Sequence, residues 1–146
     1  MLNKSNPIGV MDSGIGGLTV VRELQRILPG EDIIYFGDSA NCPYGNKTAD
    51  QIFELSCHML QFLGSNGVKC TAVACNTIST MAERLRPCFD FRIISIVEEA
   101  AKYVIREKLS NVGLIGTEFT VASGKIKSAR TAVKMTSLRM FEPDAN

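Results

Sequence analysis

Apolar positions along the chain fall into two alternating rhythms, one of strands and one of helices. Ile8 to Met11 is a short apolar run of the kind a buried strand makes, and DSGIGG (Asp12 to Gly17) follows it as a glycine-rich turn. Beyond the turn Leu18, Val21, Leu24 and Leu28 share one helical face, and Pro29 with Gly30 closes the segment. Ile33 to Phe36 is a second strand, followed by the polar loop GDSANCPYGN and a helix carrying Ile52, Leu55, Met59 and Phe62. Thr48 and Gln51 have the spacing of a capping box before that helix, and Gly64 and Gly67 bracket its end.

Val68 to Ala74 is a third strand running into Cys75, where Asn76, Thr77 and Ser79 are placed to cap a helix through about Leu85, before Pro87 stops it. Arg92 to Ile96 is a fourth strand. Glu98 to Lys108 carries acids in its first turn and bases near its end, as a helix dipole prefers, and Asn111 to Ile115 is a fifth strand. A polar turn, Gly116 to Thr120, leads to a helix from Val121 to about Ala132, and Val133 to Phe141 alternates weakly as a final strand. Strands alternating with helices in this way predict an α/β, doubly wound fold with right-handed crossovers and a parallel sheet covered on both faces. Ligands of such sheets bind at the carboxyl ends of the strands. DSGIGG, GDSANCPYGN, CNTIS and GTEFT all follow strands, so all are expected on one rim.

Composition narrows the function classes. The chain has 146 residues, 45% hydrophobic and 21% charged, which suits a globular protein large enough to bury a core. Lys and Arg total 16 against 15 acids, a formal charge of +1, which supplies no electrostatic argument for nucleic acid or an anionic membrane. The N-terminus lacks the apolar stretch of a secretory signal, and no run approaches the roughly 18 apolar residues of a spanning helix, so the expected location is cytoplasmic. Five cysteines, an odd number with no C-x-x-C, argue against a disulfide framework and a metal site.

Each candidate motif has a structural and a chemical reading. DSGIGG fails the dinucleotide fingerprint because Thr19 stands where the last glycine belongs, and Gly124-Lys125 is no Walker motif because Ile126 replaces Ser or Thr. It is either a plain capping turn or one whose glycines admit a ligand to the backbone while Asp12 and Ser13 offer a carboxylate and a hydroxyl. Pro43-Tyr44-Gly45 is likewise a simple turn or part of a binding loop, with Asp38 capping and Tyr44 packing in the simpler case. Cys75 at the end of an apolar strand packs like a small hydrophobe in many proteins. Followed by a helix start it would instead sit at the positive end of a dipole, which lowers a thiol pKa from about 8.5 toward neutrality and makes a nucleophile or base. Asn76 and Thr77 would then hold a polar substrate. His58 is expected to be a partly buried structural histidine, which disfavours a Cys-His hydrolase. Glu98 and Glu99 are expected to be dipole partners, and Cys57, Cys70 and Cys88 core or surface thiols.

Together MDSGIGGLTVVREL, FGDSANCPYGNKT, AVACNTIST and VGLIGTEFTVASG, in this order and spacing, resemble the glutamate racemases of the aspartate/glutamate racemase superfamily. The resemblance runs from Ile8 to about Gly124. It implies interconversion of L- and D-glutamate without a cofactor, the D form feeding peptidoglycan synthesis, with two cysteine thiols on opposite faces of the substrate α-carbon. Carried over by motif, Cys75 is the first thiol, Asp12 and Ser13 lie near the amino group and that thiol, Tyr44, Gly45, Asn76 and Thr77 bind carboxylates, and Thr117 and Thr120 complete the pocket. It also implies two similar domains: residues 1–97 form the first, incomplete without a C-terminal return, and 98–146 begin the second.

The family's second cysteine lies in a G-C-T-H-Y-P-like motif that this sequence does not contain, so the expectation is a fragment whose activity is doubtful and which relies on a homodimer or on its missing C-terminal half. Exposed apolar edges should follow. Cys42, before Pro43, departs from the family's usual residue and is not expected to substitute. The alternatives are a noncatalytic glutamate-binding or dimerising remnant, and a related racemase-type enzyme acting on aspartate, hydantoins or a substituted malonate.

Overall fold

The computed structural model describes residues 4–109, 111–124 and 134–139. Strand β1 (Ile8–Asp12), helix α1 (Leu18–Ile27), β2 (Ile33–Gly37), α2 (Ala49–Ser65) and β3 (Cys70–Val73) follow the predicted rhythm. Short helices α3 (Asn76–Ser79) and α4 (Ala82–Leu85) lead to β4 (Arg92–Ser95) and α5 (Ile96–Arg106). Then come β5 (Asn111–Gly116), α6 (Glu118–Ala122) and β6 (Lys134–Arg139). The helix expected from Val121 to Ala132 begins earlier, at Glu118, and its positions from 125 onward lie outside the described residues.

Four strands form one sheet in the order β2-β1-β3-β4, β5 pairs with β6 in a second, and every pairing is parallel. The α/β expectation therefore holds. Register decides where the loops go: Asp12 lies opposite Gly37, Met11 opposite Val73, and Val73 opposite Ser95. Ladder-end bonds continue the alignment, Asp38 N to Asp12 O and Ala74 N to Met11 O, each 2.9 Å. Ser13, Asp38 and Cys75 thus leave the sheet on one rim.

The core lies between this sheet and α2. Its capping box is formed as predicted, with Gln51 N donating to Thr48 Oγ1 (3.3 Å) and Thr48 N donating to Gln51 Oε1 (3.0 Å). Ile52, Met59, Leu60 and Leu63 enter the core beside Met11 and Val73. His58 falls on the outer face of the same helix and is exposed, which corrects the partly buried histidine expected there.

The helix predicted to run from Asn76 to Leu85 is broken in two. Thr80 Oγ1 donates to Thr77 O (2.7 Å), and the amides of Thr80 and Met81 bond three residues back, to Thr77 and Ile78. Hydroxyls that back-bond to the preceding turn tighten and bend helices. Helix α1 shows the expected apolar face but buries none of it: Leu18, Ile27 and Leu28 are exposed, as is Ile15 just before it.

One buried hydroxyl is unsatisfied. Thr71 Oγ1, in the central strand β3, is enclosed without a hydrogen-bond partner among the described residues, and a Cβ placed on Gly9 would meet it at 2.8 Å. An isosteric apolar side chain removes the desolvated group, so Thr71→Val is expected to stabilise the chain by about 1 kcal/mol. Thermal melts of the two proteins check this; a lower midpoint in the variant would contradict it.

Candidate active site

The rim is assembled from the strand-end loops. Asp12, the last residue of β1, is buried and accepts the amide of Gly17 through Oδ2 at 2.9 Å, which places a carboxylate at the start of α1. Ser13 Oγ lies 3.4 Å from Cys75 Sγ, so the first and third loops meet at the thiol. Cys75 is the N-cap residue of α3 and only 7% exposed, a member of the core cluster as well as of the rim. The cysteine thus packs in the core and also stands at a helix start.

Its electrostatics differ from the expectation. Burial pushes the Cys75 thiol above its ordinary value, with the Asp12 carboxylate adding to the rise, while hydrogen bonds from Ser13 and the Ile78 amide pull the other way and do not prevail. The sequence argument counted the helix start but not the desolvation. With one turn of helix behind it, the dipole is short and the loss of water dominates.

Burial likewise raises Cys57, Cys70, Tyr35 and Tyr44. Groups raised in the folded state hold protons that the unfolded chain releases. Their stabilisation is complete below the unfolded pKa and is lost as pH climbs through the folded values. Thermal stability is thus expected to fall from about pH 8.5, the unfolded thiol value, through and beyond pH 10, where the tyrosines join. Melts at stepped alkaline pH check this; a flat or rising midpoint would contradict it.

In the second loop the packing reading of Tyr44 describes its side chain. Tyr44 is 2% exposed, its ring is in the core, and its hydroxyl donates to Asp38 Oδ2 at 2.6 Å. Asp38 also accepts from the Asn41 side chain. Gly45, next to Tyr44, is half-buried. Asn76 is exposed on the rim, whereas Thr77 is buried.

Thr77 is joined to the fourth loop. Its Oγ1 lies 3.1 Å from Thr117 Oγ1 and 3.3 Å from Thr120 Oγ1, and the last two are 2.9 Å apart. Thr117 also caps α6, accepting the amide of Thr120. Three hydroxyls in a closed triangle satisfy one another and can redirect their protons to an incoming anion. Hydrogen bonds thus join Ser13 to Cys75 and Thr77, Thr117 and Thr120 to one another, whereas Asp12 and Tyr44 bond to Gly17 and Asp38 instead.

One residue of the rim was missed. Tyr35, in β2, donates its hydroxyl to Gly14 O at 2.7 Å, inside the DSGIGG turn. A polar tip in the otherwise apolar run IIYF was the signal available in the sequence. Among the described residues no group of three His, Cys, Asp or Glu side chains is arranged to hold a metal ion, and no helix is long and apolar enough to cross a membrane.

Comparison with known proteins shows which family the chain is similar to. Residues 8–139 match the Asp/Glu/Hydantoin racemase family. A glutamate racemase of Oceanobacillus iheyensis is 41% identical over 129 residues, 87% of this chain and 47% of that protein. A glutamate racemase isoform of Bacillus anthracis superposes with a TM-score of 0.86 at 34% identity, covering 92% of this chain and 53% of the other. One from Francisella tularensis, solved in complex with D-glutamate, gives 0.81 at 38% identity over 91% and 52%. The chain spans about half the length of the curated relatives it matches. With the parallel sheet, the four rim loops and this match over most of its length, the chain belongs to the Asp/Glu/hydantoin racemase family.

Proposed function

We propose that the rim around Cys75 binds glutamate and that this thiol removes or returns its α-proton, as half of a cofactor-independent racemisation between the L and D forms. The observation that carries the reading is the Ser13–Cys75 contact at the end of β3, with the Thr77–Thr117–Thr120 triangle on the other side of the same short helix. A thiol can serve as base or acid, whichever its protonation state allows. Hydroxyls and main-chain amides at the helix starts suit two carboxylates, and the same dipoles support negative charge as it develops on the α-carbon.

The small-molecule substrate belongs to this proposal, as do its wider context in supplying D-glutamate for peptidoglycan and a cytoplasmic setting. So does the division into a first α/β domain, 1–97, and the start of a second, 98–146, with completion by a homodimer or a C-terminal half. Neither nucleic acid nor membrane has a place in it.

A second reading, glutamate binding without proton transfer, draws on the buried and raised thiol of Cys75. The two separate on α-proton exchange. For substrate class, calorimetric titration with glutamate, aspartate and hydantoin is expected to show glutamate bound most tightly. Thr77→Val should weaken it about tenfold, the worth of one lost hydrogen bond to a charged group. Equal affinity for all three ligands, or an unchanged Thr77→Val, would contradict the assignment.

A further inference from the structure

We infer that Tyr35 is a positioning residue for the Cys75 thiol, acting through the carbonyl of Gly14 and the hydroxyl of Ser13. This rests on Cys75 being the reactive group of the rim, but its test does not depend on turnover.

Tyr35 is the central residue of β2, opposite Val10 of β1, so its place is set by the sheet and not by the loop. Its ring passes between two glycines. A Cβ on Gly17 would lie 3.1 Å from Tyr35 Cε2, and one on Gly37 would lie 3.0 Å from its Oη. Beyond them the hydroxyl donates to Gly14 O at 2.7 Å. Gly37 closes on that same oxygen from another side, where an added Cβ would stand 2.3 Å away.

The clamped carbonyl belongs to the residue directly after Ser13. Gly14, Gly16 and Gly17 make this turn conformationally permissive, so an anchor on the rigid sheet has much freedom to remove. Ser13 Oγ, held in this way, stays 3.4 Å from Cys75 Sγ. A hydroxyl that donates to a thiolate favours the ionised form, so loosening the turn should move the ionisation of Cys75 to higher pH. Tyr35 itself touches neither the thiol nor a ligand in this account; it sets where Ser13 sits.

The test is a pH profile of iodoacetamide alkylation at Cys75, resolved from the other four cysteines by peptide mass spectrometry. It is run on the full chain, Tyr35→Phe, Ser13→Ala and the double variant. Each single change is expected to raise the alkylation midpoint by about half a pH unit or more, and the double variant no further than Ser13→Ala alone. Phenylalanine keeps the ring between the two glycines, so the packing is retained. Gly37→Ala crowds the same carbonyl together with the Tyr35 ring and hydroxyl, and should give the same alkaline shift. An unshifted profile in Tyr35→Phe, or shifts that add in the double variant, would overturn the inference. If Cys75 transfers no proton, exchange assays fail while this coupling persists, so the two ideas fail separately.

Discussion

Replacing Cys75 by alanine is expected to slow the exchange of glutamate's α-proton with deuterated solvent by about 10²- to 10⁴-fold, the usual contribution of a positioned proton-transfer group. The reason is local. Ser13 is the nearest hydroxyl to the thiol, and an alcohol is a far weaker base than a thiolate at any pH the fold tolerates. Because Cys75 also packs in the core cluster, the same substitution should cost about 1 kcal/mol of stability, a small cavity and not an unfolding event. Thermal melts beside the exchange assay keep the two effects apart. A raised thiol pKa makes a further demand: exchange by the unaltered chain should increase as pH rises toward that value, because only the thiolate accepts the proton. Exchange that declines over the same range would assign the base elsewhere.

Gly37→Ala is the second large effect. The added methyl would stand 2.3 Å from Gly14 O and 2.9 Å from Tyr35 Cε1, and the first of these is backbone that cannot rotate away. Overpacking of this kind costs about 1–3 kcal/mol, and the relief available is to push the DSGIGG turn off β2. That movement takes Ser13 with it. The variant should therefore melt several degrees lower and lose most of the Cys75-dependent exchange. Gly30→Ala is the control, since no atom lies within 4 Å of a Cβ there. A Gly37→Ala protein with the stability and exchange of the unaltered chain would show that the turn is not held as described.

How much of this was legible beforehand depends on which interactions are local. The Thr48–Gln51 box, the acids opening α5 and most of the strand and helix rhythm are properties of neighbouring residues, and the structure keeps them. The gathering of the first three loops followed from a general rule of parallel sheets, whereas the fourth leaves the separate β5–β6 sheet and joins them through Thr77. What could not be read was decided by burial and by the partners that individual side chains found. The break at Thr80 comes from hydroxyls choosing backbone partners within the turn. The ionisation of Cys75 is set by how deeply it is buried. Tyr44, open in the sequence to packing or binding, is buried and donates its hydroxyl to Asp38. Glu98 opens its helix as expected but also forms a two-pronged pair with Arg86, at 2.9 and 2.6 Å, from a separate turn. Tyr35 was hidden for the same reason, since its partner, Gly14, is 21 residues away.

The central claim is that the rim handles the α-proton of glutamate through Cys75. Proton NMR of L-glutamate and of D-glutamate, each incubated with the chain in deuterated water, measures that most directly. The account predicts that the α-proton signal of one enantiomer decays with the unaltered chain and persists with Cys75→Ala. Persistence of both signals with the unaltered chain, or the same decay with Cys75→Ala, would contradict it.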